Sequence, residues 1–172
     1  MMPSRGKSSA RLVADCAVLT ALSMILSYID SMIPLLPSVP GIKLGLANLV
    51  ILVSLYLLGF APAFLIDIIR VILSGLLFTG LSGALYSLSG AVLSFAVMAI
   101  LKRSGYFSEV GVSIAGGAAH NLGQLLTAVF LISNPYLFYY YPVLTVTGCA
   151  AGILTGFLSH ILIKRLSPLL DG

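Results

Sequence analysis

Charged residues are scarce in this chain of 172 residues, and they make up only 8% of it. A typical soluble domain has roughly 25% charged residues, and with far fewer it would expose a large apolar patch to water. The hydrophobic content of 59% and the mean hydropathy of +1.12 instead suit a chain that lipid tails solvate. The composition therefore predicts an integral membrane protein, which has the lipid bilayer as a partner.

Several catalytic signatures are also missing. The sequence contains no GxxxxGK[ST] loop for ATP, no HExxH pair for zinc and no GxSxG nucleophile elbow. Its five acidic residues are too dispersed for the paired-aspartate cluster that holds magnesium in prenyl-diphosphate synthases. The net charge of +4 comes from bases scattered at the ends of apolar runs, so nucleic-acid binding is not indicated. We expect a protein that is not an enzyme and that uses no metal or other cofactor.

Six long apolar runs fill most of the chain, and prolines, glycines or basic pairs separate them. Continuous runs of this kind are typical of transmembrane helices, whereas a membrane β-barrel shows short alternating segments. The predicted fold is an all-α membrane bundle that forms a single domain over residues 1–172, with six transmembrane helices. The predicted helices are 12–33, 44–58, 62–78, 84–101, 110–132 and 143–163.

Basic residues predict the orientation of the bundle. Cytoplasmic loops of membrane proteins carry an excess of lysine and arginine. With six spans, one side receives the seven bases Arg5, Lys7, Arg11, Lys102, Arg103, Lys164 and Arg165, and the other side receives Lys43 alone. We therefore expect a multi-pass protein of the cell membrane with both termini in the cytoplasm.

Ionisable and amide side chains inside the runs are the candidates for function, because polar groups are costly in lipid. Asp67 and Arg70 are three residues apart and share a helix face, so they either form a structural ion pair or contact an anionic ligand. His120, Asn121 and Gln124 form a second polar group in the fifth run. They either hydrogen-bond to neighbouring helices or bind a ligand.

These polar groups share a depth in the outer half of the predicted bundle. We predict that they line one outward cavity for a small, anionic or strongly hydrogen-bonding molecule. The predicted substrate-binding residues are Lys43, Asn48, Arg70, Asn121 and Gln124. The competing interpretation is that they only bond to one another and to neighbouring helices.

Three motifs resemble those of a known family. VPGIKLGLANLV at 39–50, RVILSGLLFTG at 70–80 and GVSIAGGAAHNLGQLL at 111–126 resemble the family named heptaprenyl diphosphate synthase component I, also called the Gx transporter family. That family is similar to the S components of energy-coupling-factor (ECF) transporters. The resemblance implies a six-helix S-component-like fold that binds a small molecule in an outward-facing pocket.

The resemblance also implies partners. S components dock through an Ala-xxx-Ala face of their first helix onto a transmembrane T component that two ATPases drive. Ala17 and Ala21 match this pattern, although small residues at this spacing also serve ordinary helix packing. We therefore expect the substrate-binding subunit of an ECF-type importer. The alternative is a non-catalytic membrane accessory of polyprenyl diphosphate or quinone synthesis, or of a redox assembly.

Overall fold

A computed structural model describes residues 9–33 and 45–171 of the protein. Within them the chain is all-helical and contains no strand. The α-helices are α1 Ser9–Met32, α2 Leu46–Leu57, α3 Phe60–Ser74, α4 Gly80–Ser104, α5 Glu109–Ile132 and α6 Tyr141–Asp171. A π-helical turn, Gly75–Thr79, joins α3 to α4, and a 3₁₀ segment, Pro135–Tyr140, precedes α6.

Four stretches of the described chain are long and apolar enough to cross a membrane. They are Ser9–Met32, Phe60–Ser104, Glu109–Ile132 and Pro135–Pro168. The surface of the bundle is correspondingly apolar, and side chains such as Phe130 and Leu81 are about four-fifths exposed, at 82% and 77%. Large apolar side chains in such exposed positions suit contact with lipid. The fold is therefore that of a multi-pass membrane protein.

The stretch Phe60–Ser104 folds back on itself. Gly80 has φ of +72° and ψ of 179°, a conformation that is open to glycine and strained for other residues. Beyond this point the Phe95 ring of α4 lies 5.2 Å from the ring of Phe60, at the start of α3. The helices α3 and α4 therefore form an antiparallel hairpin.

Helix α2 is short and central. Its twelve residues span about 18 Å, less than the roughly 30 Å hydrocarbon core of a bilayer. Eight of these residues are buried, including Ile51 and Leu52, which have no exposed surface. Because α2 is apolar on every side, it suits a position inside the bundle, where α1, α3 and α6 pack around it.

The predicted helix boundaries are correct for most elements and wrong in two places. The predicted break at residues 79–83 is confined to the junction at Gly80, because α4 begins there rather than at Ala84. Helix α6 does not end at the basic pair near residue 164 but continues to Asp171. Lysine and arginine are good helix formers, so a helix can extend past them into water.

The antiparallel order of the helices gives the bundle two distinct ends. One end contains the C-terminal ends of α1, α3 and α5 and the N-terminal ends of α2, α4 and α6. We call it the cavity end, because the cavity described below lies near it. The opposite end is marked by Lys102, near the C-terminus of α4, whose Nζ donates to the Leu55 carbonyl near the C-terminus of α2.

Candidate functional site

Residues from all six α-helices line one cavity near the cavity end of the bundle, and α1 to α5 contribute polar side chains. Its volume is about 60 Å³, well below the roughly 300–1,000 Å³ of pockets for drug-sized ligands. The polar side chains in its wall are Ser27, Asp30, Asn48, Arg70, Ser74, Thr79, Ser87, His120, Asn121 and Gln124. A small cavity with so many polar groups can hold a small polar molecule or a few waters.

Four of the five residues predicted to bind substrate lie in this wall. Asn48, Arg70, Asn121 and Gln124 come from α2, α3 and α5, and the fold brings them around the same space. The fifth predicted residue, Lys43, lies outside the described residues. The structure therefore brings together all the predicted substrate-binding residues that it describes.

Arg70 is buried and forms an ion pair. Its Nη2 donates to Asp67 Oδ1 on the same helix, and Arg70 and Asp67 are 7% and 2% exposed. Its Nη1 lies 3.5 Å from Ser27 Oγ on α1, at the limit of hydrogen bonding. Its Nε is buried and has no hydrogen-bond partner within residues 9–33 and 45–171. The structural ion pair that the sequence allowed is thus formed.

Asp30 joins α1 to the start of α2. Its Oδ2 accepts a hydrogen bond from the Leu46 amide at 2.8 Å, and the residue is 5% exposed. The amide belongs to the first turn of α2, where free N–H groups and the helix dipole favour a carboxylate. Asp30 was not among the predicted substrate-binding residues. Only the pairing of α1 with α2 across the intervening segment brings it into the wall.

The side-chain amides of the wall differ in whether they form hydrogen bonds with other residues. Asn121 Nδ2 donates to the Leu144 carbonyl on α6 at 2.6 Å, as the helix-bonding interpretation predicts, and its Oδ1 is left for another donor. The side chains of Asn48 and Gln124 make no hydrogen bond to any other described residue. The wall therefore presents two complete amide groups and one amide oxygen.

Close packing of α5 against α6 sets the width of the cavity on that side. A Cβ on Gly117 would lie 2.3 Å from the Gly148 carbonyl oxygen, and both glycines line the cavity. No side chain larger than hydrogen fits at this crossing. The wall also contains Ser87 and His120, which, like these glycines, were not among the predicted substrate-binding residues. Glycines in membrane helices also serve ordinary helix packing, so they give no specific signal of a site.

A second, apolar concavity lies between α1 and α3, next to the cavity along both helices. This groove has a volume of about 660 Å³. Its residues are Leu12, Val13, Cys16, Ala17, Thr20, Ala21, Met24, Ala61, Pro62, Leu65, Ile66 and Ile69. The predicted docking residues Ala17 and Ala21 are both in this groove and both exposed. Close approach of another helix requires small residues of this kind.

The polar groups at the opposite end are mostly engaged with one another. The Nζ of Lys102, besides its bond to the Leu55 carbonyl, lies 4.9 Å from the centre of the Tyr56 ring. Ser113 and Thr155 share a 3.0 Å hydrogen bond between α5 and α6. Over the described parts of the chain, no group of three or more His, Cys, Asp and Glu side chains is placed to hold a metal ion.

Comparison with known proteins gives one match. The sequence profile of the family described as heptaprenyl diphosphate synthase component I matches residues 19–162, which include every described residue of the cavity wall. No curated protein and no solved structure matches the chain. Because the profile covers most of the sequence, the chain belongs to the heptaprenyl diphosphate synthase component I family.

Proposed function

We propose that this chain is the substrate-binding membrane subunit of an ECF-type importer for a small molecule. The observation that carries the proposal is the cavity, to which all six α-helices contribute and which contains Asn48, Arg70, Asn121 and Gln124. Polar groups in an apolar environment are costly unless they are bonded, and the side-chain amides of Asn48 and Gln124, which are partly buried, lack protein partners in the described chain. A bound polar molecule would satisfy them.

The groove between α1 and α3 supports the second part of the proposal, which is the docking of a transmembrane T component with its ATPases. The groove is apolar, exposed and centred on Ala17 and Ala21, and it adjoins the cavity along the same two helices. An importer needs these two features together, because the subunit that captures the substrate must also contact the T component, through which the ATPases act. The chain itself acts without catalysis in this proposal.

The topology in this proposal has six crossings and both termini in the cytoplasm. The antiparallel hairpin of α3 and α4 supports counting Phe60–Ser104 as two crossings, and α2 then crosses within the surrounding helices. In this arrangement the cavity end faces outward.

Cysteine labelling tests the topology. In a variant without Cys16 and Cys149, a cysteine at Ser104 should react only with a reagent on the cytoplasmic side. A cysteine at Ser133, exposed at the far end of α5, should react only from outside. The reverse pattern would contradict the orientation, and labelling of both from one side would contradict the number of crossings.

Mass spectrometry of small molecules that co-purify with the protein tests the binding function. We expect one specific compound at near-stoichiometric occupancy. The Gln124→Ala variant should lose the compound. The same variant should elute from a size-exclusion column like the wild type, which shows that it is folded. Reconstituted alone in vesicles, the protein should bind this compound without accumulating it. Accumulation without partners or ATP would refute the proposal.

A second candidate function rests on the description of the family, which names a component of heptaprenyl diphosphate synthase. In this case the chain would be a non-catalytic membrane accessory of polyprenyl diphosphate or quinone synthesis, or of a redox assembly. The apolar groove would then dock a synthase subunit rather than a T component. The identity of the co-purifying protein separates the two functions.

A further inference from the structure

We propose that the cavity selects an uncharged small molecule in which a hydrogen-bond donor and acceptor lie side by side, as in a carboxamide, ureide or cyclic imide. This inference rests on the proposed function, because it takes the cavity as the substrate site. Of the two predicted ligand types, anionic and strongly hydrogen-bonding, it selects the second. Two features of the wall lead to it: the balance of charges and the hydrogen-bonding groups that remain available.

The described lysine, arginine and aspartate side chains in the wall and directly beside it carry no net positive charge. Arg70 is the only described lysine or arginine in the wall, and its guanidinium is paired with Asp67, which is 2% exposed. Asp30 adds a second carboxylate, which the α2 N-terminus stabilises through the Leu46 amide. An incoming anion would therefore have to displace Asp67 from Arg70 or accept repulsion from Asp30.

Lys43, which lies outside the described residues, does not change this result. If Lys43 also faced the cavity, two bases would balance two acids, and the net charge of these four groups would be zero. The lysine, arginine and aspartate side chains thus offer no net positive charge to an anion.

The available hydrogen-bonding groups are suited to an amide. Asn48 and Gln124 each present an adjacent donor and acceptor without a protein partner in the described chain. Asn121 adds its acceptor Oδ1, and Arg70 adds the Nη N–H groups that its contacts with Asp67 and Ser27 do not use. Donors and acceptors are mixed, whereas a site for a carboxylate or phosphate would consist mainly of donors.

Matched pairs of compounds test the proposal directly. The purified protein in lipid nanodiscs is incubated with acetamide and acetate, propionamide and propionate, and glycolamide and glycolate, which are small enough for a cavity of about 60 Å³, and retained compounds are quantified by mass spectrometry. Each pair differs chiefly in the presence of a carboxylate. For at least one pair we expect saturable retention of the neutral member, roughly tenfold or more above its acid, since burying an unpaired charge is costly.

Asp67→Asn should reverse the preference, because it frees the charge of Arg70 while keeping the size of the side chain. The acid of the retained pair should then bind more tightly than in the wild type. Asp15→Asn is the matched control, since it makes the same acid-to-amide change on α1 outside the cavity wall. If Asp67→Asn fails to fold, Gln124→Glu serves instead, and it should weaken retention of the neutral compound by roughly tenfold.

The outcomes separate this inference from the importer proposal. Preference of the wild type for the acids would overturn the inference and leave the importer proposal intact, because an anion is also a possible substrate. Retention of none of the compounds would likewise overturn the inference, and the importer proposal would then depend on the partners that co-purify. An unchanged preference in a folded Asp67→Asn protein would show that charge balance does not set the selectivity.

Discussion

The crossing of α5 and α6 makes the sharpest prediction about the fold, because it is closed by backbone contact alone. A Cβ at Gly117 would meet the Gly148 oxygen at 2.3 Å, where ordinary contact begins at 3.4 Å. In Gly117→Ala the two helices must therefore separate by about 1.1 Å, the difference between these distances. Backbone atoms cannot rotate away, so the whole crossing has to move.

The expected cost follows from this overlap. Overpacking of a core costs typically 1–3 kcal/mol, and alanine returns only about 1 kcal/mol through its better helix propensity. We expect a net destabilisation of up to about 2 kcal/mol. Gly111→Ala is the control on the same helix, because its Cβ would meet nothing closer than 3.6 Å. It should leave stability unchanged or raise it by up to about 1 kcal/mol.

Thermal unfolding in one detergent, followed by the reaction of Cys16 and Cys149 with a thiol-reactive dye, gives the comparison. The chain has no tryptophan, so intrinsic tryptophan fluorescence offers no signal. Gly117→Ala should unfold at a lower temperature than the wild type, and Gly111→Ala at the same or a higher one. Equal unfolding temperatures for the two variants would refute the close crossing of α5 and α6.

Two further predictions concern the groove and the opposite end of the bundle. Ala17→Trp should weaken capture of a T component by roughly 30-fold or more while the protein stays folded, because the bulky ring blocks close helix approach. Val18→Trp, on the same helix but outside the groove, should have little effect in the same pull-down, and equal loss in both would contradict a specific docking face. Lys102→Met removes the hydrogen bond to the Leu55 carbonyl and should cost about 1–2 kcal/mol of unfolding free energy. Arg103→Met, an exposed neighbour for which the structure describes no side-chain bond, should unfold at nearly the wild-type temperature, and a matching loss would show that the bond is not the cause.

Much of the fold was predictable because apolar runs and their breaks carry the information. The ends of α5 follow from Ser108, whose Oγ accepts from the Gly111 amide, and from the Asn134-Pro135 pair after the helix. The start of α4 was less predictable, since Gly80 and Gly83 are both residues at which a helix commonly ends. Only Gly80 takes a conformation that reverses the chain.

The residues predicted to share a depth do lie around one cavity, and their binding of a substrate stays a prediction. These residues are Asn48, Arg70, Asn121 and Gln124. The charge of the wall was less predictable, because it depends on which acids lie beside the bases. The contribution of Asp30 depends on α2 beginning directly beside it, and this is a tertiary contact that no local pattern encodes.

The most direct test of the proposed function is purification of the tagged protein at native abundance from mild-detergent extracts of its own membranes. Proteins that co-purify in stoichiometric amounts are then identified by mass spectrometry. We expect a transmembrane T component together with ATPase subunits, and their loss when Ala17 is replaced by tryptophan. A soluble polyprenyl diphosphate synthase in their place, with no ATPase, would contradict the importer and favour the accessory role.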